Sequence, residues 1–187
     1  MDFQSNRFYH IISYGCQANM SDSEHYAGQL EELGYHNTED LDTADVILIN
    51  TCCVRETAED KTLGKIGELK HLKKQNPDLI IAVTGCMAQE WQDKLFKRAP
   101  HIDLVIGTHN IHKLIELIRE RRSKADHYMA ADMTLPAFHD MPVKRFQKFF
   151  AWIPIMNGCN KFCTYCIVPY VRGREVSRPF VAIVEES

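Results

Sequence analysis

Val46-Ile47-Leu48-Ile49-Asn50-Thr51-Cys52-Cys53 is the stretch whose reading decides the fold. Four consecutive apolar, mostly β-branched residues predict a strand buried on both faces, the kind found inside a parallel sheet. The run ends in polar residues and a cysteine, as expected where a strand delivers side chains to an edge. Working outward, Arg7 to Cys16 reads as a preceding strand, with Phe8, Tyr9, Ile11, Ile12 and Tyr14. A helix follows it. Ser21 with Glu24 three residues on has the form of a capping box, and Tyr26, Ala27, Leu30 and Leu33 share one face up to Gly34. A short strand is expected near Tyr35 to Thr38. Beyond the central run, a long helix is expected over Glu56 to Gln75, stopped by Asn76-Pro77. Further strands are expected at Leu79 to Val83 and Ile102 to Ile106, and helices over Gln89 to Arg98 and Ile111 to Arg122.

Repeated strand–helix units imply a parallel sheet with helices on both faces. This α/β domain is expected to occupy residues 1–123. Residues 124–148, with Pro136 and Pro142, read as a linker. Phe149-Phe150-Ala151-Trp152-Ile153-Pro154-Ile155 reads as the first strand of a second domain over 149–187.

The chain has 187 residues, 45% of them hydrophobic, enough for a packed core plus part of a second domain. No run of about 18 apolar residues occurs, so no membrane span is expected. The N-terminus lacks the basic and apolar regions of a secretory signal. The expected compartment is cytoplasmic, where thiols stay reduced, and seven cysteines there favour metal binding or catalysis over disulfides. The net charge of −3 is unevenly spread. Residues 1–140 carry −7, whereas 141–178 carry +6, from Lys144, Arg145, Lys148, Lys161, Arg172, Arg174 and Arg178 against Glu175. A basic surface suits a polyanion such as RNA; charges paired within the fold are the alternative.

The cysteines fall into two groups. Cys159, Cys163 and Cys166 form C-x-x-x-C-x-x-C within eight residues. Three thiolates on one loop leave one position open, which suits a four-iron cluster with one unclaimed iron; a zinc knuckle borrowing a fourth ligand is the alternative. Cys16, Cys52 and Cys86 each lie at the end of an expected strand. In a parallel sheet those ends lie along one edge, where ligand sites form. A second three-cysteine iron–sulfur site is the functional reading; small buried hydrophobes is the alternative. Neighbours on an extended chain point to opposite sides, so Cys53 is read as a packed thiol rather than a partner of Cys52. His109 and His112 read as loop and cap residues. Lys61, Lys65, Lys70, Lys73 and Lys74 read as a solvated helix face.

Several motifs together resemble the methylthiotransferases of the radical S-adenosylmethionine (SAM) superfamily. They are Tyr14-Gly15-Cys16-Gln17-Ala18-Asn19 with Asp22-Ser23-Glu24, Asn50-Thr51-Cys52 with Val54-Arg55-Glu56, Gly85-Cys86-Met87-Ala88-Gln89, Gly107-Thr108-His109-Asn110, and the block from Met156 through Cys159, Cys166 and Pro169-Tyr170-Val171-Arg172-Gly173-Arg174-Glu175. The resemblance covers nearly the whole chain. It implies a Rossmann/flavodoxin-like parallel-sheet N-terminal methylthiotransferase domain, then the start of a radical SAM TIM-type barrel. It implies two [4Fe-4S] clusters: a radical SAM cluster on Cys159, Cys163 and Cys166, and an auxiliary one on Cys16, Cys52 and Cys86. Tyr165 takes the aromatic position near the SAM adenine.

The implied activity is methylthiolation at C2 of N6-isopentenyladenosine beside the anticodon of tRNA. Gln17-Ala18-Asn19 favours this branch over that acting on a ribosomal protein; the threonylcarbamoyl-adenosine branch lies closer. The tRNA anticodon stem-loop and an electron donor such as flavodoxin or ferredoxin are the implied partners, with the protein a monomer. A non-catalytic metal-binding RNA adaptor is the alternative of another class. Relatives continue through a SAM-binding barrel and a C-terminal TRAM domain. A chain ending at Ser187, about one βα unit into that barrel, is expected to bind the auxiliary cluster but not to complete SAM binding or turnover.

Overall fold

Every residue from Val46 to Thr51 is buried, and this strand, β3, is the centre of the molecule. The computed structural model describes residues 7–53, 56–133 and 141–187. Val54 and Arg55, and the part of the expected linker around Pro136, lie outside the described residues. The elements run β1 (Arg7–Ser13), α1 (Gln17–Glu32), β2 (Tyr35–Asn37), β3 (Val46–Thr51), α2 (Glu56–Glu68), α3 (Lys70–Gln75) and β4 (Ile80–Gly85). They continue with α4 (Cys86–Trp91), α5 (Asp93–Arg98), β5 (Leu104–Ile106), a 3-10 turn (Ile111–Lys113), α6 (Leu114–Ser123) and β6 (Tyr128–Ala130). Last come β7 (Met156–Asn157), α7 (Val168–Val171), β8 (Val176–Ser177) and α8 (Phe180–Glu186).

The main sheet has the order β2-β1-β3-β4-β5-β6, and every pairing in it is parallel. This is the flavodoxin-like order, extended by one strand. Alternation along the central strands divides the core. Val46 and Leu48, with Ile80, Ala82, Leu104 and Ile106, face the helices α1 and α6. Ile47 and Ile49, with Ile81, Val83 and Val105, face α2 through α5. Each such aliphatic side chain contributes about 1.5–3 kcal/mol on burial. Both faces of the sheet are therefore covered, as the continuous apolar runs imply.

Several boundaries depart from the sequence reading. The helix after β1 starts at Gln17 with Cys16 as its N-cap, so Ser21 and Glu24 lie inside α1 rather than at its start. Glu24 is instead buried against Arg145, whose Nη1 lies 2.7 Å from its carboxylate. The 56–75 helix is interrupted at Leu69, whose N–H is shared between the carbonyls of Lys65 (3.3 Å) and Ile66 (3.2 Å). Gly64 and Gly67 just before it weaken the helix locally. The 89–98 helix begins earlier, at Cys86, and breaks at Gln92, a non-glycine residue with φ +46°.

Tyr128–Ala130, inside the segment read as linker, is a sixth parallel strand on β5. The carbonyls that follow it are held by Gln89 Nε2 at Ala131 (2.7 Å) and Asn110 Nδ2 at Asp132 (2.8 Å). Phe149–Ile155 is not a strand. A strand needs a neighbour for its backbone groups, and among the described residues pairing starts only at Met156, antiparallel to β8. No helix of the described residues is long and apolar enough to cross a membrane.

Candidate metal centre

The strand register brings two of the candidate ligands together. In the β3–β4 pair Asn50 stands opposite Thr84 and Thr51 opposite Gly85, so Cys52 and Cys86 follow in step from adjacent strands. On the other side of β3, Ser13 of β1 pairs with Asn50, and the chain turns through Gly15 to Cys16. Since β1 and β3 are spatial neighbours, Cys16 and Cys52 flank the point where the strand order reverses. Crevices at such points take ligands in open α/β sheets.

A buried polar lattice fixes these ends. Asn19 and Asn50 are fully buried. Asn19 Nδ2 donates to Asn50 Oδ1 (3.0 Å) and to the Thr51 carbonyl (2.9 Å). Asn50 Nδ2 returns bonds to the Asn19 carbonyl (2.8 Å) and Ser23 Oγ (2.9 Å). Thr51 Oγ1 donates to the Thr84 carbonyl. Gly85 has φ +88°, and a Cβ there would stand 2.4 Å from the Thr51 carbonyl oxygen and 2.5 Å from Asn50 Oδ1. Only glycine allows this approach. From the sequence Asn19 and Asn50 are motif residues with no task; their place three residues after Cys16 and two before Cys52 was the available signal.

Cys16, Cys52 and Cys86 line one cavity of about 300 Å³. Cys16 is exposed and its thiol donates to Asn19 Oδ1 at 3.5 Å, while Cys52 and Cys86 are buried. Cys53 is half-buried; it packs against the α2–α5 side of the core and also lines this cavity beside Cys52. Burial pushes the Cys86 thiol up, and the Arg172 guanidinium beside it offsets part of that rise. Arg172 itself is buried; burial opposes its charge, but Asp22 and Cys86 outweigh this and hold it above the usual guanidinium range. Its Nη2 lies 2.6 Å from Asp22 Oδ2. This pair was read from the sequence only as a motif neighbour and a member of a basic segment.

The second cysteine group follows β7. The Cys159 N–H donates to the Gly173 carbonyl at 3.0 Å, and the Lys161 N–H donates to the Cys159 sulfur at 3.4 Å. The Cys166 N–H closes on the Cys163 carbonyl at 3.0 Å. Cys163 is exposed, Cys159 and Cys166 half-buried, and Tyr165 is 92% exposed. These three thiols do not line the cavity of the first group, although Gly158 and Ile167 at the two ends of their loop do. Among the described residues no three His, Cys, Asp or Glu side chains are gathered tightly enough to share one metal ion. A polynuclear cluster makes a different demand, since each thiolate binds its own iron. Three thiols from separate strand ends on one cavity, with a guanidinium to balance anionic sulfur, fit such a group.

The fold and site thus define an open, flavodoxin-like α/β protein with a cysteine-lined cavity at the switch point of its sheet. The profile of the family described as Uncharacterized protein family UPF0004 matches residues 8–107. The chain belongs to this family. It is also similar to three curated proteins, each named tRNA-2-methylthio-N(6)-dimethylallyladenosine synthase. The one from Dictyoglomus thermophilum is 51% identical over 95% of this chain and 41% of its own length. That from Thermoanaerobacter sp. (strain X514) is 48% identical over 97% of this chain and 39% of its own. That from Staphylococcus aureus (strain JH9) is 48% identical over 97% and 36%. The chain therefore spans about two fifths of the length of these relatives.

Proposed function

We propose that this chain belongs to a radical SAM tRNA methylthiotransferase, which methylthiolates C2 of N6-isopentenyladenosine next to the anticodon. The observation that carries the reading is the convergence of Cys16, Cys52 and Cys86 on one cavity, in a chain about half identical to synthases of that name. Cys16, Cys52 and Cys86 would hold an auxiliary [4Fe-4S] cluster, and Cys159, Cys163 and Cys166 a second one that takes SAM. Bound together, these groups supply the sulfur, the methyl group and a carbon-centred radical strong enough to attack an aromatic C–H bond.

The chain's own residues do the holding. The Asn19–Asn50 lattice sets the spacing of the strand ends. The buried walls of the cavity limit water around the first triad. The Lys161 N–H donates to the Cys159 sulfur and holds it on the loop, and the exposed Tyr165 ring is available to an adenine. Within 141–178, Lys144, Arg145, Arg172 and Arg178 pair with carboxylates of the fold, so the exposed Lys148, Lys161 and Arg174 would supply charge toward an RNA backbone. Domain limits of 1–123, 124–148 and 149–187 belong to the same proposal, and the pairing of β6 with β5 supports counting Tyr128–Ala130 with the first domain.

Anaerobic reconstitution tests the site assignment. About eight irons and eight sulfides per chain are expected if both triads load, and joint substitution of Cys16, Cys52 and Cys86 by alanine should leave about half. Stoichiometric zinc without visible absorbance would instead support a metal-binding adaptor. For the substrate, mass spectrometry of tRNA nucleosides from cells lacking the gene should show loss of the methylthio group from isopentenyladenosine. Loss from threonylcarbamoyl-adenosine or from a ribosomal protein would overturn that assignment.

A further inference from the structure

Arg172 reaches the first cysteine triad from the far side of the second. It follows α7, directly after the loop that carries Cys159, Cys163 and Cys166. Its backbone is fastened to the loop after β5. Thr108 Oγ1 donates to the Val171 carbonyl, and His109 Nε2 donates to the Arg172 carbonyl at 3.0 Å. From that anchor the side chain crosses the cavity wall, with only 10% of its side-chain surface exposed. It ends between two groups on different elements. Asp22 on α1 lies 2.6 Å from Nη2, and Cys86 at the head of α4 lines the same cavity as the guanidinium. One guanidinium thus joins the strand-end lattice to the segment that follows the second cysteine loop.

A buried arginine paired with one aspartate could simply pack α7 onto α1. Two observations argue for more. Asp22 and Arg172 both line the cavity that the three cysteines share. The guanidinium is also buried in the wall of that cavity, where a fixed positive charge acts on whatever the thiolates hold. We infer that Arg172 is a positioning residue for the first triad, one that sets the charge felt by a cluster held there, with Asp22 holding the guanidinium in place and opposing its field. The inference rests on the proposed reading that Cys16, Cys52 and Cys86 hold an iron–sulfur cluster. Cluster potentials respond to net charge and to hydrogen bonds at sulfur, so the two members of the pair should act with opposite sign.

The test uses the whole chain with Cys159, Cys163 and Cys166 replaced by alanine, so that iron and sulfide load only the first triad. Redox titration followed by electron paramagnetic resonance reads the midpoint potential. Arg172→Gln should shift it to lower potential, because a positive charge that favours the reduced form is gone. Arg172→Lys should hold it near the parent value, and Asp22→Asn should shift it upward. A purely structural pair would leave the potential unmoved in folded protein, or move it the same way in both neutral variants; either result overturns the inference. If Arg172→Gln does not fold, Asp22→Asn decides: an upward shift supports the inference and no shift overturns it. If the parent with only the first triad takes up no iron, the cluster reading itself fails, and the inference falls with it. Iron uptake with unmoved potentials removes the inference alone.

Discussion

Asn50 carries more of the site than its size suggests. Its amide makes three side-chain bonds inside a fully buried lattice, at 2.8, 2.9 and 3.0 Å. Asn50→Ala removes one bond each from the Asn19 amide and the Ser23 hydroxyl, which keep the Thr51 carbonyl and Ser13 as partners, so the cost is about 0.5–1.5 kcal/mol for each bond lost. Urea denaturation of the metal-free chain should show a loss of that order, and reconstitution should show reduced iron. His25 sets a pH dependence. It is buried on α1, with no partner for Nδ1 among the described residues, and burial lowers its pKa below 6.5 despite the nearby carboxylates of Glu186 and Asp22. The unfolded chain therefore binds a proton first as pH falls below 6.5. The stability from keeping His25 neutral is complete above that pH and is lost as pH falls toward the lowered folded value. Urea midpoints across pH 7.5 to 5 should decline on this account, and His25→Gln should flatten part of the decline.

At the scale of elements, the β4–α4 junction is the most constrained. Gly85 combines φ +88° with backbone oxygen 2.4 Å from where a Cβ would lie. Gly85→Ala should force β3 and β4 apart at their ends, costing about 1–3 kcal/mol for the backbone conformation alone. The matching change is a lower midpoint in thermal unfolding, together with loss of iron from the first triad. The parallel sheet itself was legible because Val46–Ile49 and Ile80–Val83 are apolar without interruption, and only strands covered on both sides read that way. The convergence of the three cysteines was legible for the same reason: parallel strands end together. Helix starts were less so. Ser21 and Glu24 have the spacing of a cap, but Gln17 begins α1, and ten residues of that helix are buried. The partner that explains Glu24 is Arg145, 121 positions away, which no local pattern encodes. β6 was not legible because three residues, running on into Ala131, carry too little periodicity to mark a strand.

At the scale of the whole molecule, the C-terminal segments are tied back to the sheet domain by charge. Arg145 binds Glu24 through Nη1 and Glu186 of α8 through Nη2, each at 2.7 Å, and Arg178 pairs with Glu186 as well. The segment entering this junction passes so close to α1 that a Cβ on Gly28 would meet the Pro142 carbonyl oxygen at 2.4 Å. Arg145→Ala leaves the Glu24 carboxylate buried without its cation, an arrangement that costs about 3–5 kcal/mol. Hydrogen exchange should then accelerate across 141–146 and 180–186 while the amides of β3 and β4 stay protected. Equal acceleration in the sheet would show that the junction is not separable from the core.

The Asn19–Asn50 lattice also has a consequence in time. All of its members, and all three cysteines of the first triad, lie within residues 13–86, and domains form from the N-terminus as the chain is made. The chain beyond Cys86 then adds β5 and β6 to the sheet, and only afterwards does the C-terminal wall of the cavity arrive. Arg172 follows Cys86 by 86 residues, and Arg178, the last residue of that wall, comes after it. Until both are made, the thiol-lined face of the cavity stands open on that side.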